Sequence, residues 1–133
     1  MHDTGEDAKS FAEKVLSEAY DYDNGTVCFS PTLTYGKDTF RGTKEGALSY
    51  FVGGNPNFPT DKGFALKPWV KAHYDNGTIQ IHGYIAIAQQ NFHFIAKDGS
   101  KVMVDKTFGY RKGEDGKLRI ILHHSSLQYN PNP

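Results

Sequence analysis

Lys117-Leu118-Arg119-Ile120-Ile121-Leu122-His123-His124-Ser125-Ser126-Leu127 is the stretch on which the fold reading turns. It follows the turn Gly113-Glu114-Asp115-Gly116 and contains neither Gly nor Pro, so it reads as a strand entered from a hairpin. Its first half is apolar on both alternation sets, which predicts a central strand covered on both faces. It then switches without a break to four polar residues. A strand that does this either leaves the core or delivers polar side chains to a pocket. Alternation puts Arg119, Ile121, His123 and Ser125 on one face, and Ile120, Leu122, His124 and Ser126 on the other. The two histidines therefore point opposite ways, and only one can serve a given cavity.

Upstream, Lys101–Lys112 alternates Val102, Val104, Phe108 and Tyr110 against Met103, Asp105, Thr107 and Arg111, a second strand. Thr78 to Phe94 reads as one long strand with a bulge or bend at Gly83. Asp75-Asn76-Gly77 signals a hairpin into it from a strand over Phe64–Tyr74, where Pro68 suggests an edge or bulge. Asn55 to Gly63 is a loop. Before it, Thr43 can cap a helix from Lys44 to Val52 that aligns Ala47, Tyr50 and Phe51 and stops at Gly53-Gly54. Thr26–Leu33 is too short and Pro-broken for more than a brief extended segment or loop. From Glu6 to Tyr20, Ala8, Phe11, Val15 and Ala19 recur at helical spacing, an amphipathic helix. Helices first and then a meander of four strands is an α+β pattern, and a strongly bent, mostly antiparallel sheet wrapped on the N-terminal helices would enclose a conical pocket.

At 133 residues the chain is expected to form one domain over 1–133, with 1–7 flexible and 128–133 a tail. Fifteen basic residues balance 15 acidic ones, so nothing argues for a nucleic-acid partner, and self-association meets little repulsion. Cys28 is the only cysteine, which rules out an internal disulfide and a multi-cysteine zinc site. No apolar run approaches the ~20 residues of a membrane span, and Met1-His2-Asp3-Thr4 opens no signal peptide in the chain as given. A soluble protein without membrane or nucleic-acid partners is the expectation, with its compartment open.

Dinucleotide-binding, phosphate-loop, nucleophile-elbow and His-Glu-x-x-His patterns are all missing. His2, His73, His82, His93, His123 and His124 show no ligand spacing. His82, His93 and one of the C-terminal pair could converge across a sheet, but nothing local requires it. Taken singly, Tyr50 reads as a core tyrosine, Thr32 as a turn residue and Ser125 as an ordinary strand-end serine.

Together they carry a resemblance. His123-His124-Ser125-Ser126 after an apolar strand resembles the association domain of calcium/calmodulin-dependent protein kinase II, within the nuclear-transport-factor-2-like superfamily of cone-shaped α+β folds. Phe29-Ser30-Pro31-Thr32, Phe40 to Phe51 and Gly83 to Ala88 bring the chain closer still to the iota-class carbonic anhydrases. That resemblance implies reversible hydration of CO2 to bicarbonate, without metal in some members and with zinc or manganese in others. It implies bicarbonate held by Thr32, Tyr50 and Ser125, hence catalytic roles for these three and no metal ligands. His123, on the Ser125 face by alternation, is the candidate proton shuttle. The group that deprotonates the attacking water is not visible in the sequence.

Two other readings compete. One is a non-catalytic self-association or small-anion-binding module, favoured by a bare face carrying Ile120, Leu122 and His124. The other is an isomerase or dehydratase of the same superfamily, which wants an acid deep in the cone, and Asp105 is the one strand-centre acid. The expected assembly is a homodimer.

Overall fold

A computed structural model describes residues 5–67 and 69–132. His2 and Pro68 lie outside the described residues. The elements are α1 (Gly5–Glu18), β1 (Cys28–Ser30), α2 (Lys44–Val52), β2 (Trp69–His82), β3 (Ile85–Ala96), β4 (Lys101–Lys112) and β5 (Leu118–Leu127), with short 3-10 turns between them. Two helices pack beside a five-stranded sheet of order β1-β5-β4-β3-β2. The β1–β5 pair is parallel and the rest of the sheet is antiparallel.

The helices form where expected. Thr43 Oγ1 accepts the Gly46 N–H at 3.2 Å and caps α2, which ends at Gly53 with φ 67°. The buried stripe of α1 is Ala8, Ala12 and Leu16, whereas Phe11 is 52% exposed. The apolar face is thus turned by one residue from the expected one, since the small alanines allow a close approach that Phe11 would block.

The strands differ more. Phe64–Leu66 is a 3-10 turn, and β2 begins at Trp69. Asp75-Asn76-Gly77 makes no hairpin. It is a bulge inside β2, with a register shift between Asp75 and Thr78 and Asn76 at φ 55°. The hairpin turns instead at Gly83-Tyr84, dividing the long predicted strand into the end of β2 and all of β3. Cys28–Ser30, read as loop or brief extension, is a paired edge strand.

A second bulge alters β5. The pairing with β4 shifts between Gly109 and Tyr110, so Ile120 lies opposite Tyr110 and packs against the core rather than sharing a bare face with Leu122. Gly109 allows this crossing, because a Cβ there would sit 3.0 Å from the Leu122 Cβ. Downstream of the bulge alternation holds. His123 and Ser125 are buried, and His124 is exposed.

The core joins Leu16, Tyr20, Tyr22, Val27, Phe29, Ala47 and Tyr50. Phe29 links helix to sheet, with ring centroids 5.7 Å from Phe51 and 4.7 Å from His123. A continuous aromatic lining, Phe64, Trp69, Phe94, Phe92 and Phe108, follows the inner face of the strands back to His123. No described helix is long and apolar enough to cross a membrane.

Candidate active site

Parallel pairing sets Ser30 opposite His124, so the chain continuing through Pro31 to Thr32 runs alongside Ser125. The hydroxyls of Thr32 and Ser125 are 2.6 Å apart and share a hydrogen bond. Tyr50 enters from the inner side of α2, and its oxygen accepts the Leu33 N–H at 3.3 Å. Burial pushes the Tyr50 phenol up, partly offset by the Leu33 amide and the Thr32 hydroxyl, so it stays protonated at neutral pH. Three hydroxyls from three separate segments meet here. Beside Tyr50 lies a cavity of about 30 Å3 lined by Leu33, Asp61 and Phe64.

His123 stands on the same inner face, with its ring 4.7 Å from Phe29 and 4.5 Å from Phe108, centroid to centroid. Both ring nitrogens are engaged. Nδ1 lies 2.9 Å from the Tyr20 hydroxyl, and Nε2 lies 2.9 Å from Lys106 Nζ. An ammonium can only donate, so Nε2 accepts, and in the neutral ring Nδ1–H donates to the Tyr20 oxygen. Burial and then the Lys106 charge push His123 down to about 2. Burial likewise brings Lys106 down to about 8. The expected shuttle, His123, sits in surroundings that disfavour its charged form. An imidazole buried between a phenol and an ammonium gains a proton less readily than a free one.

Sequence reasoning missed Tyr20 and Lys106, the two hydrogen-bond partners of His123. Lys106 had left a signal, since a lysine between Val104 and Phe108 falls on the apolar alternation set. Gln90 similarly lies between Ala88 and Phe92. Asp105 is on the opposite face of β4, where it accepts from Asn91 and Gln128. The other histidines do not join the site. His73 stacks on His93 at 4.6 Å, His93 bonds Asp75, and His82 bonds Gln80. Among the described residues, no group of three or more His, Cys, Asp or Glu could hold a metal ion.

Behind Tyr50 a buried ion pair fixes the loop that follows α2. Arg41 reaches both Asp61 oxygens at 2.7 Å, and Ser49 donates to the same carboxylate at 2.5 Å. Arg41 also donates to the Gly46 and Asp38 carbonyls and lies under the Phe58 ring. Burial alone would raise the Asp61 carboxyl, but the Arg41 and Ser49 bonds outweigh it and leave it below the usual carboxylate range.

Helices against a bent, mostly antiparallel sheet, with hydroxyls converging inside, define a nuclear-transport-factor-2-like α+β domain. A nuclear-transport-factor-2-like protein from Pseudomonas putida shares the fold at a TM-score of 0.64, with 14% identity over 95% of this chain and 79% of that one. A Xanthomonas campestris protein assigned to the calcium/calmodulin-dependent protein kinase II association domains is 27% identical, with a TM-score of 0.61 over 98% of this chain and 84% of that one. The iota-carbonic anhydrase from a cyanobacterium, solved with bicarbonate, is 48% identical at a TM-score of 0.92, over 95% of this chain and 77% of that one. The metal-independent carbonic anhydrase of Nostoc sp. strain PCC 7120 is 50% identical over 122 residues, 92% of this chain. The chain spans 60% of that relative's length. The family model for metal-independent carbonic anhydrases matches residues 1–127, and the chain belongs to that family.

Proposed function

We propose that this chain hydrates CO2 reversibly to bicarbonate at the Thr32–Tyr50–Ser125 cluster. The observation that carries the reading is the convergence of these hydroxyls beside an aromatic wall. CO2 is apolar and favours a dry slot, while bicarbonate needs a few directed donors, which protonated hydroxyls provide. The Tyr50 proton, and whichever proton the Thr32–Ser125 pair does not use internally, donate to oxygens that gain charge as the C–O bond forms. Family membership and the bicarbonate complex of the cyanobacterial relative support the substrate. The family is described as metal-independent, so water activation falls to protein groups alone. His123 contributes by position, holding Tyr20 and Lys106 apart on a rigid stacked ring.

Stopped-flow CO2 hydration with a pH indicator tests this, on protein prepared with chelator and checked by elemental analysis. Activity in the metal-free protein, lost in Ser125→Ala, is expected. Activity that appears only with added zinc or manganese would move the site away from the hydroxyls, and no activity at all would favour the association-module reading.

We also infer that two copies associate. Supporting this, Ile79, Ile81 and Tyr84 on the β2–β3 hairpin are 63%, 71% and 73% exposed, and the formal net charge is zero.

A further inference from the structure

One polar row crosses the inner face of three strands. Gln90 on β3 stands opposite Lys106 on β4, and Lys106 stands opposite Ser125 on β5. Directly opposed residues share a face of the sheet. That this face is the inner one follows from the buried Ala88, Val104, Phe108, His123 and Ser125, which alternate with or belong to the row.

Both newcomers lack something. Lys106 Nζ lies 5.3 Å from the Phe92 ring centroid and 5.9 Å from that of Phe108, and it forms no ion pair among the described residues. Gln90 Oε1 is enclosed and has no hydrogen-bond partner among the described residues. A buried amide oxygen without a donor is costly, and a half-buried cation without an anion is less so. A ligand that satisfies both at once carries a negative charge and an O–H group. Bicarbonate has that combination, and water about to become part of it offers two O–H groups.

We infer that Lys106 accepts the proton of the attacking water and that Gln90 orients that water, an assignment that rests on the CO2-hydration reading. In the forward step the water oxygen forms a bond to the CO2 carbon, and one C=O π pair moves onto its oxygen. One O–H bond breaks, and its proton goes to the neutral Lys106 amine. The other O–H, accepted by Gln90 Oε1 once its side chain turns out of its enclosed position, becomes the hydroxyl of bicarbonate. The product anion then lies beside an ammonium, with Ser125 and Thr32 donating from the far end of the row. Lys106 returns the proton to solvent. The reverse step uses the ammonium as acid.

Burial supports the role by bringing Lys106 down to about 8, so that a usable fraction is amine at neutral pH. The titratable groups on this side of the sheet do not compete. His123 on β5 is held neutral, and Tyr20 behind it and Tyr50 on α2 are pushed up by burial. Gln90 and Phe92, facing Lys106 from β3, carry no charge, and His124 points to the other face.

The test compares metal-free wild type with Lys106→Arg, Lys106→Met and Gln90→Leu across pH 6 to 9, with 13C-bicarbonate binding followed by NMR. Wild-type kcat/KM should rise with pH and level off near Lys106's own ionisation. Lys106→Arg, which keeps the charge but cannot release its proton, should still bind bicarbonate while losing on the order of 100-fold in kcat. Lys106→Met should lose both binding and rate. Gln90→Leu should lose on the order of 10-fold in kcat and keep the ionisation. An active wild type whose Lys106→Arg variant keeps both rate and pH profile overturns the assignment. A wild type without activity overturns the CO2 reading itself, and the assignment with it. Should Lys106→Met fail to fold, NMR titration of Lys106 Nζ in the wild type decides, because bound bicarbonate must raise its pKa. No shift at saturating bicarbonate overturns the proposal.

Discussion

The Tyr50 oxygen accepts the Leu33 amide, and its O–H is the group's one donor. Tyr50→Phe removes that donor while keeping the ring that packs edge-on against Phe29. The expected result is a normally folded protein with kcat lowered about 100-fold, the scale of losing one preorganised donor. Circular dichroism beside the hydration assay checks both halves. His123 makes a different prediction. Its folded pKa of about 2 lies below its ordinary 6.5, so on acidification the unfolded chain takes up a proton that the folded chain refuses. Its contribution to stability is complete above pH 6.5 and declines as pH falls from there. Urea unfolding between pH 4 and 7 should show this slope, and His123→Gln should flatten it. Lys106 has the same sign at higher pH. Its ionisation falls from 10.5 to about 8, so stability rises with pH between those values. Lys106→Met should lack the rise. A denaturation series in alkaline buffer reads it directly.

Among the elements, α2 was legible because everything that defines it is local. A capping threonine, nine residues without Pro and a Gly53-Gly54 stop suffice. The β2–β3 hairpin was misread because Asp75-Asn76-Gly77 and Gly83-Tyr84 both suit a turn. Local chemistry does not say which is used. The pairing of β2 residues 78–82 with Ala88-flanked β3, rather than with residues before the bulge, makes the choice. The segment between β1 and α2 hid more. Arg41 looked like part of a connection, yet its side chain is 1% exposed and its partner Asp61 2%. This pair ties the 55–63 loop to the helix that carries Tyr50. Asp61→Asn leaves the guanidinium buried without a counter-charge, and should destabilise the fold by about 3–5 kcal/mol. Thermal unfolding measures that loss. Replacing both partners with apolar residues should cost less, since no charge is then stranded.

At the scale of the whole molecule, the far end of the β2–β3 hairpin projects its isoleucines and Tyr84 into solvent, with little of its own chain against them. Ile81→Lys with Tyr84→Glu should give a monomer by sedimentation velocity where the wild type is a dimer. A wild-type monomer at tens of micromolar would remove the association proposal and leave the active-site reading intact.

Hydropathy period, capping and turn chemistry in the sequence determined the helices, the β-rich second half, the opposite facing of His123 and His124, and a family resemblance naming Thr32, Tyr50 and Ser125. These depend on neighbours within a few positions, or on a motif. What each inward side chain meets depends on strand register, and register is set by bulges whose effect is global. Only the tertiary structure brought Thr32 to Ser125 across 93 positions, closed His123 between Tyr20 and Lys106, and lined up Gln90, Lys106 and Ser125 in one row. A lysine on an apolar set is an anomaly in the sequence. In the folded sheet it is a half-buried amine whose charged form is disfavoured, because burial is a property of the assembled surroundings rather than of the residue.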